Sequence, residues 1–282
     1  MSNIIHLFDP TDTDPLVTHA DGTVCARSRA SALGTGERQP GRATEFDGST
    51  QYATLGARVT SGALTSLSVV AWAKPDSTST DILVSEYSTA GRAWRIGTAS
   101  GKVRVILSSD GTFTSGTAKD YVSQGSLSST QWYLFAFTFG SSNLDVYLNG
   151  EEITCDLDFD AAMSSIYDST SHYVIGSNDG GTAAAVWANP IFGVGVTTEA
   201  LTAAQHLALY EQGTKYCDRW TGIYESISWN ALHWLDDGSI TTARDASGNG
   251  NDLTIAAGDS GILYTGTDVP FSPQNLRGFT EA

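Results

Sequence analysis

The chain has 282 residues, and its 31 acidic against 15 basic side chains give a formal net charge of −16. Such a surface repels phosphate backbones, which argues against a nucleic-acid partner, and no stretch reaches the ~20 apolar residues needed for membrane insertion. The opening MSNIIHLFDPTD lacks the basic start and long apolar run of a signal peptide, so we expect none in this sequence.

Residues 1–42 are expected to form an N-terminal arm and loop. Ile4–Phe8 is a short apolar run that predicts an edge strand or an anchoring arm. Thr11–Gly41 is rich in Asp, Gly, Ser and Arg, which predicts a long irregular loop. A loop of that length is usually functional or packed on a neighbour.

Short β-strands separated by turn residues are predicted from residue 43 onwards. Phe46 and Tyr52 flank Asp47-Gly48, as in a short hairpin over Ala43–Leu55, and Pro75 stops the next strand. The further strands are predicted at Leu67–Lys74, Ile82–Tyr87, Ala93–Gly97 and Val103–Leu107. Turn signals at this spacing favour a β-sandwich.

The strongest local signal is a hairpin over Gln131–Gly150. Aromatic and apolar residues occupy both faces of its first strand, which predicts a position in the middle of a packed sheet. Its second strand alternates apolar and polar residues and ends at Asn149-Gly150, a dipeptide that tolerates the positive φ of a tight turn.

A strand at His172–Ser177 and an apolar stretch at Ala184–Val196, broken by Asn189-Pro190, lead to a helix. Thr202 is the expected N-cap, because Gln205 stands at the spacing of a capping box. One apolar face is predicted from Ala203, Leu207 and Tyr210, with Gly213 as the left-handed C-terminal residue. His206 is expected on the helix surface or half-buried, and the spacing of Trp220, Ile223, Tyr224 and Ile227 predicts a second helix.

Several of these segments, in this order, are similar to laminin-G-like, concanavalin A-like jelly rolls. They are FDGSTQYATL, LSVVAWAKP, QWYLFAFTFGSSNLDVYLNG, HYVIGS and LTAAQHLALYEQG. The resemblance covers residues 43–213 and implies an all-β, two-sheet antiparallel sandwich with one or two short helices. WLDDGSITTARDASGNGNDLT looks like a repeat of the family's opening strand and loop, so we expect residues 214–282 to pack on the sandwich or on a neighbouring subunit.

Many sandwiches of this class are glycosidases, which need two carboxylates across the scissile bond. Asp156, Asp158 and Asp160 alternate in CDLDFD and are predicted to line one strand face. No glutamate accompanies them, so a solvated face is the preferred interpretation and no enzymatic activity is expected.

Binding residues are predicted in three places. Trp94 with Arg92 and Arg95, and Trp187 with Asn189, are candidate glycan platforms if the rings are exposed. Asn178 and Asp179 follow a strand in a turn, where sandwiches similar to this one often carry calcium. A plain Asn-Asp-Gly turn is the alternative.

Three functional classes stay open. The first is a structural or adhesion protein in a homo-oligomeric assembly, such as a head-decoration or fibre subunit on a phage virion surface; this rests on fold-level analogy. The second is an extracellular lectin-like module for a cell-surface glycan, and the third is a glycoside hydrolase.

Overall fold

The computed structural model describes residues 16–18, 24–26, 42–76, 78–179, 185–215, 222–235, 241–256 and 262–265. The predicted edge strand or anchoring arm at Ile4–Phe8 lies outside these residues. Within them most of the regular structure is β-strand, with two short helices. In chain order the strands are Leu16–Thr18 (β1), Val24–Ala26 (β2), Arg42–Asp47 (β3), Tyr52–Thr54 (β4), Ser66–Ala73 (β5), Ile82–Ser88 (β6), Gly91–Ala99 (β7), Lys102–Ser108 (β8), Ala118–Ser123 (β9), Tyr133–Gly140 (β10), Asn143–Leu148 (β11), Glu151–Glu152 (β12), Cys155–Asp160 (β13), Tyr173–Ile175 (β14), Ala188–Thr197 (β15), Ala231–Trp234 (β16), Thr242–Ala243 (β17), Leu253–Ala256 (β18) and Ile262–Thr265 (β19). The helices are Ala203–Lys215 (α1) and Ile223–Ser226 (α2).

Two antiparallel sheets form a jelly-roll sandwich. The first sheet has the order β12-β11-β10-β5-β15-β3-β19, with β16 also paired to β15, and the second has the order β13-β9-β8-β7-β6-β14-β4-β18-β17. The predicted hairpin is present as β10 and β11, joined at Gly140 and Asn143. Asn149 and Gly150 both have positive φ and turn the chain into β12. The fold class predicted from the sequence is therefore confirmed.

Apolar side chains from both sheets meet between them. Phe135, Phe137 and Phe139 of β10 point into this core and are fully buried, as are Val103, Val105 and Leu107 of β8. Alternation along β8 and β10 thus places every second side chain in the core and the rest on an outer face.

Two sequence predictions about the early strands are wrong. Ala43–Leu55 is not a hairpin, because β3 belongs to the first sheet and β4 to the second. The turn between them crosses the sandwich, and the Asp47 carboxylate fixes it by accepting hydrogen bonds from the backbone amides of Ser49, Thr50 and Gln51. The predicted irregular loop at Thr11–Gly41 contains β1 and β2, which pair with each other.

Asn189-Pro190 does not break its strand, contrary to the prediction. β15 runs through it, and Pro190 pairs with Glu45 of β3. Pairing of β15 with β5 begins only at Ile191, so the missing amide of Pro190 falls outside that ladder.

The outer face of the first sheet is covered by elements that follow it in sequence. Val70, Trp72, Leu134 and Phe192 on that face share a buried cluster with side chains of α1, α2, β16 and their connections. Gly193 and Gly195 of β15 make room for the rings of Trp234 and Trp229, since a Cβ at Gly195 would lie 2.5 Å from Trp229 Cζ3. The division of the chain at residues 42/43 and 213/214 stays a prediction.

Helix α1 begins as predicted and packs differently. Gln205 N donates to Thr202 Oγ1, and Thr202 N donates to Gln205 Oε1 at 2.9 Å, which is the expected capping box. The buried face is nevertheless formed by His206, Leu209 and Gly213, while Leu207 is 42% exposed. The predicted apolar face is therefore wrong for Ala203 and Leu207, which are exposed, whereas Tyr210 stacks on Trp72 with ring centres 5.6 Å apart. The predicted surface or half-buried position of His206 is wrong, because this residue is 0% exposed. Within the described residues no helix is long and apolar enough to span a bilayer.

Candidate functional site

The two predicted tryptophan platforms are core residues. Trp94 and Trp187 are each 0% exposed. Trp94 donates from Nε1 to Glu86 Oε2 at 3.2 Å, and the Trp187 ring meets Phe135 edge-on at 5.8 Å. Neither ring offers a face to a sugar, so this prediction is wrong. Its physical reason is that both side chains fall on the inward side of the alternation, where the largest rings fill the space between the sheets.

Arg92, which was predicted beside Trp94, lies on the opposite side of the second sheet. β6 and β7 pair with a bulge that places Tyr87 opposite Arg92. The guanidinium carbons of Arg95 and Arg92 lie 4.7 and 5.9 Å from the centre of the Tyr87 ring. Both arginines therefore stack on one aromatic ring by cation–π contacts.

A third arginine joins them through the strand register. Arg95 pairs with Ile106 of β8, and Arg104 precedes Ile106 by two positions, so Arg95 and Arg104 are diagonal neighbours on one face. Ile106 is 0% exposed although it does not belong to the inter-sheet core. Its side chain is thus covered on the outer face, as expected beneath long arginine stems. We call Tyr87, Arg92, Arg95 and Arg104 the arginine patch.

One carboxylate is bound within the arginine patch. Asp120 of β9 pairs with Ile106 and is 1% exposed. Arg104 engages both of its oxygens, with Nε to Oδ1 at 2.8 Å and Nη2 to Oδ2 at 2.5 Å. This bidentate bond to Asp120 raises the pKa of Arg104.

The guanidinium of Arg95, unlike that of Arg104, forms no ion pair in the described part of the chain and has a lowered pKa. Burial is the main cause that lowers the pKa of Arg95; Tyr87 and Asp120 raise it, while the like charges of Arg104 and Arg92 lower it, and the net shift is downward. Among the described residues, neither Arg92 nor Arg95 forms an ion pair. Asp120 bonds to Arg104 and acts on Arg95 only through its charge, so the arginine patch holds two half-buried guanidinium groups, those of Arg92 and Arg95, that have no bonded carboxylate within the described ranges.

Asn178 and Asp179 lie in a loop beside the arginine patch, since Asp179 N donates to the backbone oxygen of Tyr87 at 3.0 Å. Both carboxylate oxygens of Asp179 contact His172: Oδ1 lies 3.0 Å from Nδ1, and Oδ2 accepts from the backbone amide at 2.9 Å. No group of three or more His, Cys, Asp or Glu side chains gathers here in the part of the chain that is described. These residues alone do not fit calcium, which takes six to eight oxygens; the calcium site stays an untested prediction.

Asp156, Asp158 and Asp160 do not line one face, contrary to the prediction. A bulge in β13 shifts the register, so that Asp156 pairs with Val122 and Asp160 pairs with Lys119. Asp160 accepts from Lys119 Nζ and from Tyr121 Oη, and the bond to Lys119 lowers its pKa most. Asp156 accepts instead from Gln124 Nε2 at 2.9 Å. Asp156 and Asp160 therefore have separate contacts, and Asp158 falls at the bulge between Leu157 and Phe159.

Asn189 is remote from Arg92 in the topology, because it belongs to β15 of the first sheet and Arg92 to β7 of the second. The sequence prediction missed Tyr87 and Arg104 as partners of Arg92. The sequence does contain a signal for both residues, because each stands at an outward position of an otherwise apolar strand. Tyr87 is the polar aromatic residue of VSEY, and Arg104 is the charged residue of KVRVIL.

The fold defined by these sheets is that of a lectin-type jelly roll, and the sequence comparison agrees with it. A family profile described as the concanavalin A-like lectin/glucanases superfamily, of the laminin-G type, matches residues 47–205. The chain belongs to this superfamily. Comparison with curated protein sequences finds no match.

Two solved structures are similar to the chain at low sequence identity. The native heptameric SAP-like pentraxin of Limulus polyphemus is 17% identical with a TM-score of 0.53, and the match covers 83% of this chain and 99% of the pentraxin. A Bacteroides ovatus protein classed as carbohydrate-binding is 19% identical with a TM-score of 0.54, covering 85% of this chain and 68% of that one. These likenesses show a shared fold.

Proposed function

We propose that this protein is a non-catalytic carbohydrate-binding sandwich that acts outside the cell or at a surface, with its ligand on the outer face of the second sheet. The observation that carries the proposal is the arginine patch, which places donor-rich side chains on that face. Among the described elements, none packs over it as α1 and α2 pack over the first sheet. The fold shared with the Bacteroides ovatus protein supports the same class of ligand.

The chemistry of the patch suits a hydroxyl-rich or charged ligand. Each guanidinium carries five N–H donors in a planar fork. Tyr87 is 7% exposed beneath Arg92 and Arg95, so its ring holds the two side chains in place and is not itself a stacking surface. Positioned donors of this kind bind ligands with a smaller entropic cost than mobile surface side chains.

A glycan array tests the proposal. The wild-type chain should bind a defined set of glycans, and Arg92→Ala combined with Arg95→Ala should abolish that binding. Arg244→Ala is the matched control, because Arg244 is exposed beside β17 at the far edge of the same sheet. Thermal melting must show that all variants fold. Failure of the folded wild type to bind any glycan would contradict the proposal.

Catalysis is the less favoured role. Asp156 and Asp160 of β13 have different partners, and a glycosidase needs two carboxylates facing one bond. Release of reducing sugar from any polysaccharide, lost on Asp156→Asn or Asp158→Asn, would establish the glycoside hydrolase instead.

The predicted calcium site at Asn178 and Asp179 is tested by measuring the melting temperature with calcium and with a chelator.

A structural subunit of a homo-oligomeric assembly, such as a virion-surface protein, is the second candidate. The observation that favours it is the edge of the sandwich, where the large apolar side chain of Leu157 is 52% exposed at a cleft of about 440 Å³ that has both apolar and polar lining residues, among them Ile153 and Glu152. Exposed apolar surface of this kind is typical of protein contacts. Light scattering should then report a fixed oligomer that Leu157→Asp dissociates, whereas a monomeric wild type would exclude this candidate.

A further inference from the structure

The arginine patch is unusual in a chain that carries an excess of 16 negative charges. Three of its 15 basic residues lie together on one sheet face. Both oxygens of the buried Asp120 carboxylate accept hydrogen bonds from Arg104. Arg92 and Arg95 therefore remain without an anionic partner among the described residues.

A charge that is partly removed from water is unfavourable until an opposite charge approaches it. Arg95 shows this penalty in its lowered pKa, for which burial is the main cause. The charges of Arg104 and Arg92 add repulsion on the same face, which the opposite effects of Tyr87 and Asp120 offset only in part, since the pKa stays lowered. An anion placed against Arg92 and Arg95 would relieve both effects, while a neutral sugar would relieve neither.

We propose that the arginine patch recognises an acidic carbohydrate, with a carboxylate or sulfate of the sugar accepting hydrogen bonds from Arg92 and Arg95. This inference rests on the proposed carbohydrate-binding function and names its ligand class. Both acidic groups present paired oxygens to a planar guanidinium, so the bonds are short and charge-assisted.

The size of the patch favours a small acidic group over a polyanion such as nucleic acid. Charges beyond about 8 Å are largely screened at physiological ionic strength, so the local positive charge is felt at short range. A long phosphate backbone would extend over the surrounding acidic surface and be repelled there. A single acidic sugar fits within the patch.

Calorimetry with matched oligosaccharides tests the inference. Galacturonic-acid oligomers and galactose oligomers of equal length differ in one carboxylate per unit, and a sulfated galactose oligomer supplies the second acidic group. The wild type should bind one acidic series at least 10-fold more tightly than the neutral series. Arg95→Gln and Arg92→Gln should each weaken acidic binding about 10-fold or more, since each removes a charged hydrogen bond. Arg244→Gln should leave it unchanged.

The outcomes separate the inference from the proposed function. Preference for the carboxylated or the sulfated series, lost in Arg95→Gln, supports the inference and identifies the acidic group. Equal binding of the neutral series overturns the inference but leaves carbohydrate binding intact. Binding of no series here and no glycan on the array overturns both. If nucleic acid binds, and Arg95→Gln weakens that binding as much as it weakens the binding of acidic sugars, the inference of a carbohydrate-specific patch is overturned.

Discussion

His206 joins helix α1 to the first sheet through a single buried ring. It is 0% exposed, its Nε2 lies 2.8 Å from Thr138 Oγ1, and it stacks on Tyr147 with ring centres 4.1 Å apart. Burial lowers the pKa of His206 to about 4, from an ordinary value of 6.5. The folded protein therefore takes up this proton only at a lower pH than the unfolded chain does.

The free energy of unfolding should consequently fall as the pH is lowered from 6.5 to 4. Across that window the unfolded state binds a proton that the folded state excludes, which costs roughly 3 kcal/mol in total. Chemical unfolding at several pH values measures the fall. His206→Gln should lower stability at neutral pH but show a smaller fall, and identical slopes in the two proteins would contradict the assignment.

The residues of the arginine patch illustrate what a sequence leaves undecided. Arg92 was singled out for its position near Trp94, yet the two side chains lie on opposite faces. Tyr87, Arg95 and Arg104 come from three strands, and a β-bulge between Glu86 and Tyr87 sets their alignment. Local alternation predicts that a side chain points outward, but the register between strands decides which neighbours it meets.

At the scale of the element, local patterns predicted most strands and the start of α1. They did not predict the sheet to which a strand belongs, as for β3 and β4, or the buried side of α1. Gly213 shows why. It was expected to end the helix, whereas α1 continues to Lys215 and a Cβ at Gly213 would lie 2.8 Å from Trp72 Cε2. Close approach of α1 to the sheet, and not a left-handed turn, explains this glycine.

Gly213→Ala should therefore destabilise the protein by up to about 2 kcal/mol. Alanine favours a helix over glycine by about 1 kcal/mol, but the added methyl would overpack the contact with Trp72, which typically costs 1–3 kcal/mol. Gly116→Ala is the control, because a Cβ there meets nothing within 4 Å. Urea unfolding compares the two, and a more stable Gly213→Ala variant would refute the close approach.

For the molecule as a whole, elements after α1 contribute to both sheets. β16 pairs with β15, β19 with β3 and β18 with β4. Tyr224, Trp229 and Trp234 are all at most 7% exposed against the outer face of the first sheet. The apolar residues Trp72 and Phe192 on that sheet depend on this cover.

Deletion of residues 215–282 should accordingly yield an insoluble or aggregated chain, because it exposes the outer apolar face and unpairs three strands. Expression yield, melting and light scattering provide the measurement. Trp229→Ala in the full chain removes only one covering side chain, so it should lower the melting temperature without causing aggregation. A truncated protein that stays soluble with unchanged melting and oligomeric state would show the cover to be dispensable.

Among the described elements, α1, α2 and β16 cover the outer face of the first sheet and none covers the arginine patch on the second, which gives the sandwich a direction. If several copies were held side by side with their covered sheets towards a common support, every arginine patch would face away from it. Contacts that are individually weak would then add through multivalency, which raises overall avidity by about 10²–10⁴ without any new contact. Such an array would bind a surface that carries many copies of the glycan far more tightly than it binds a single free glycan.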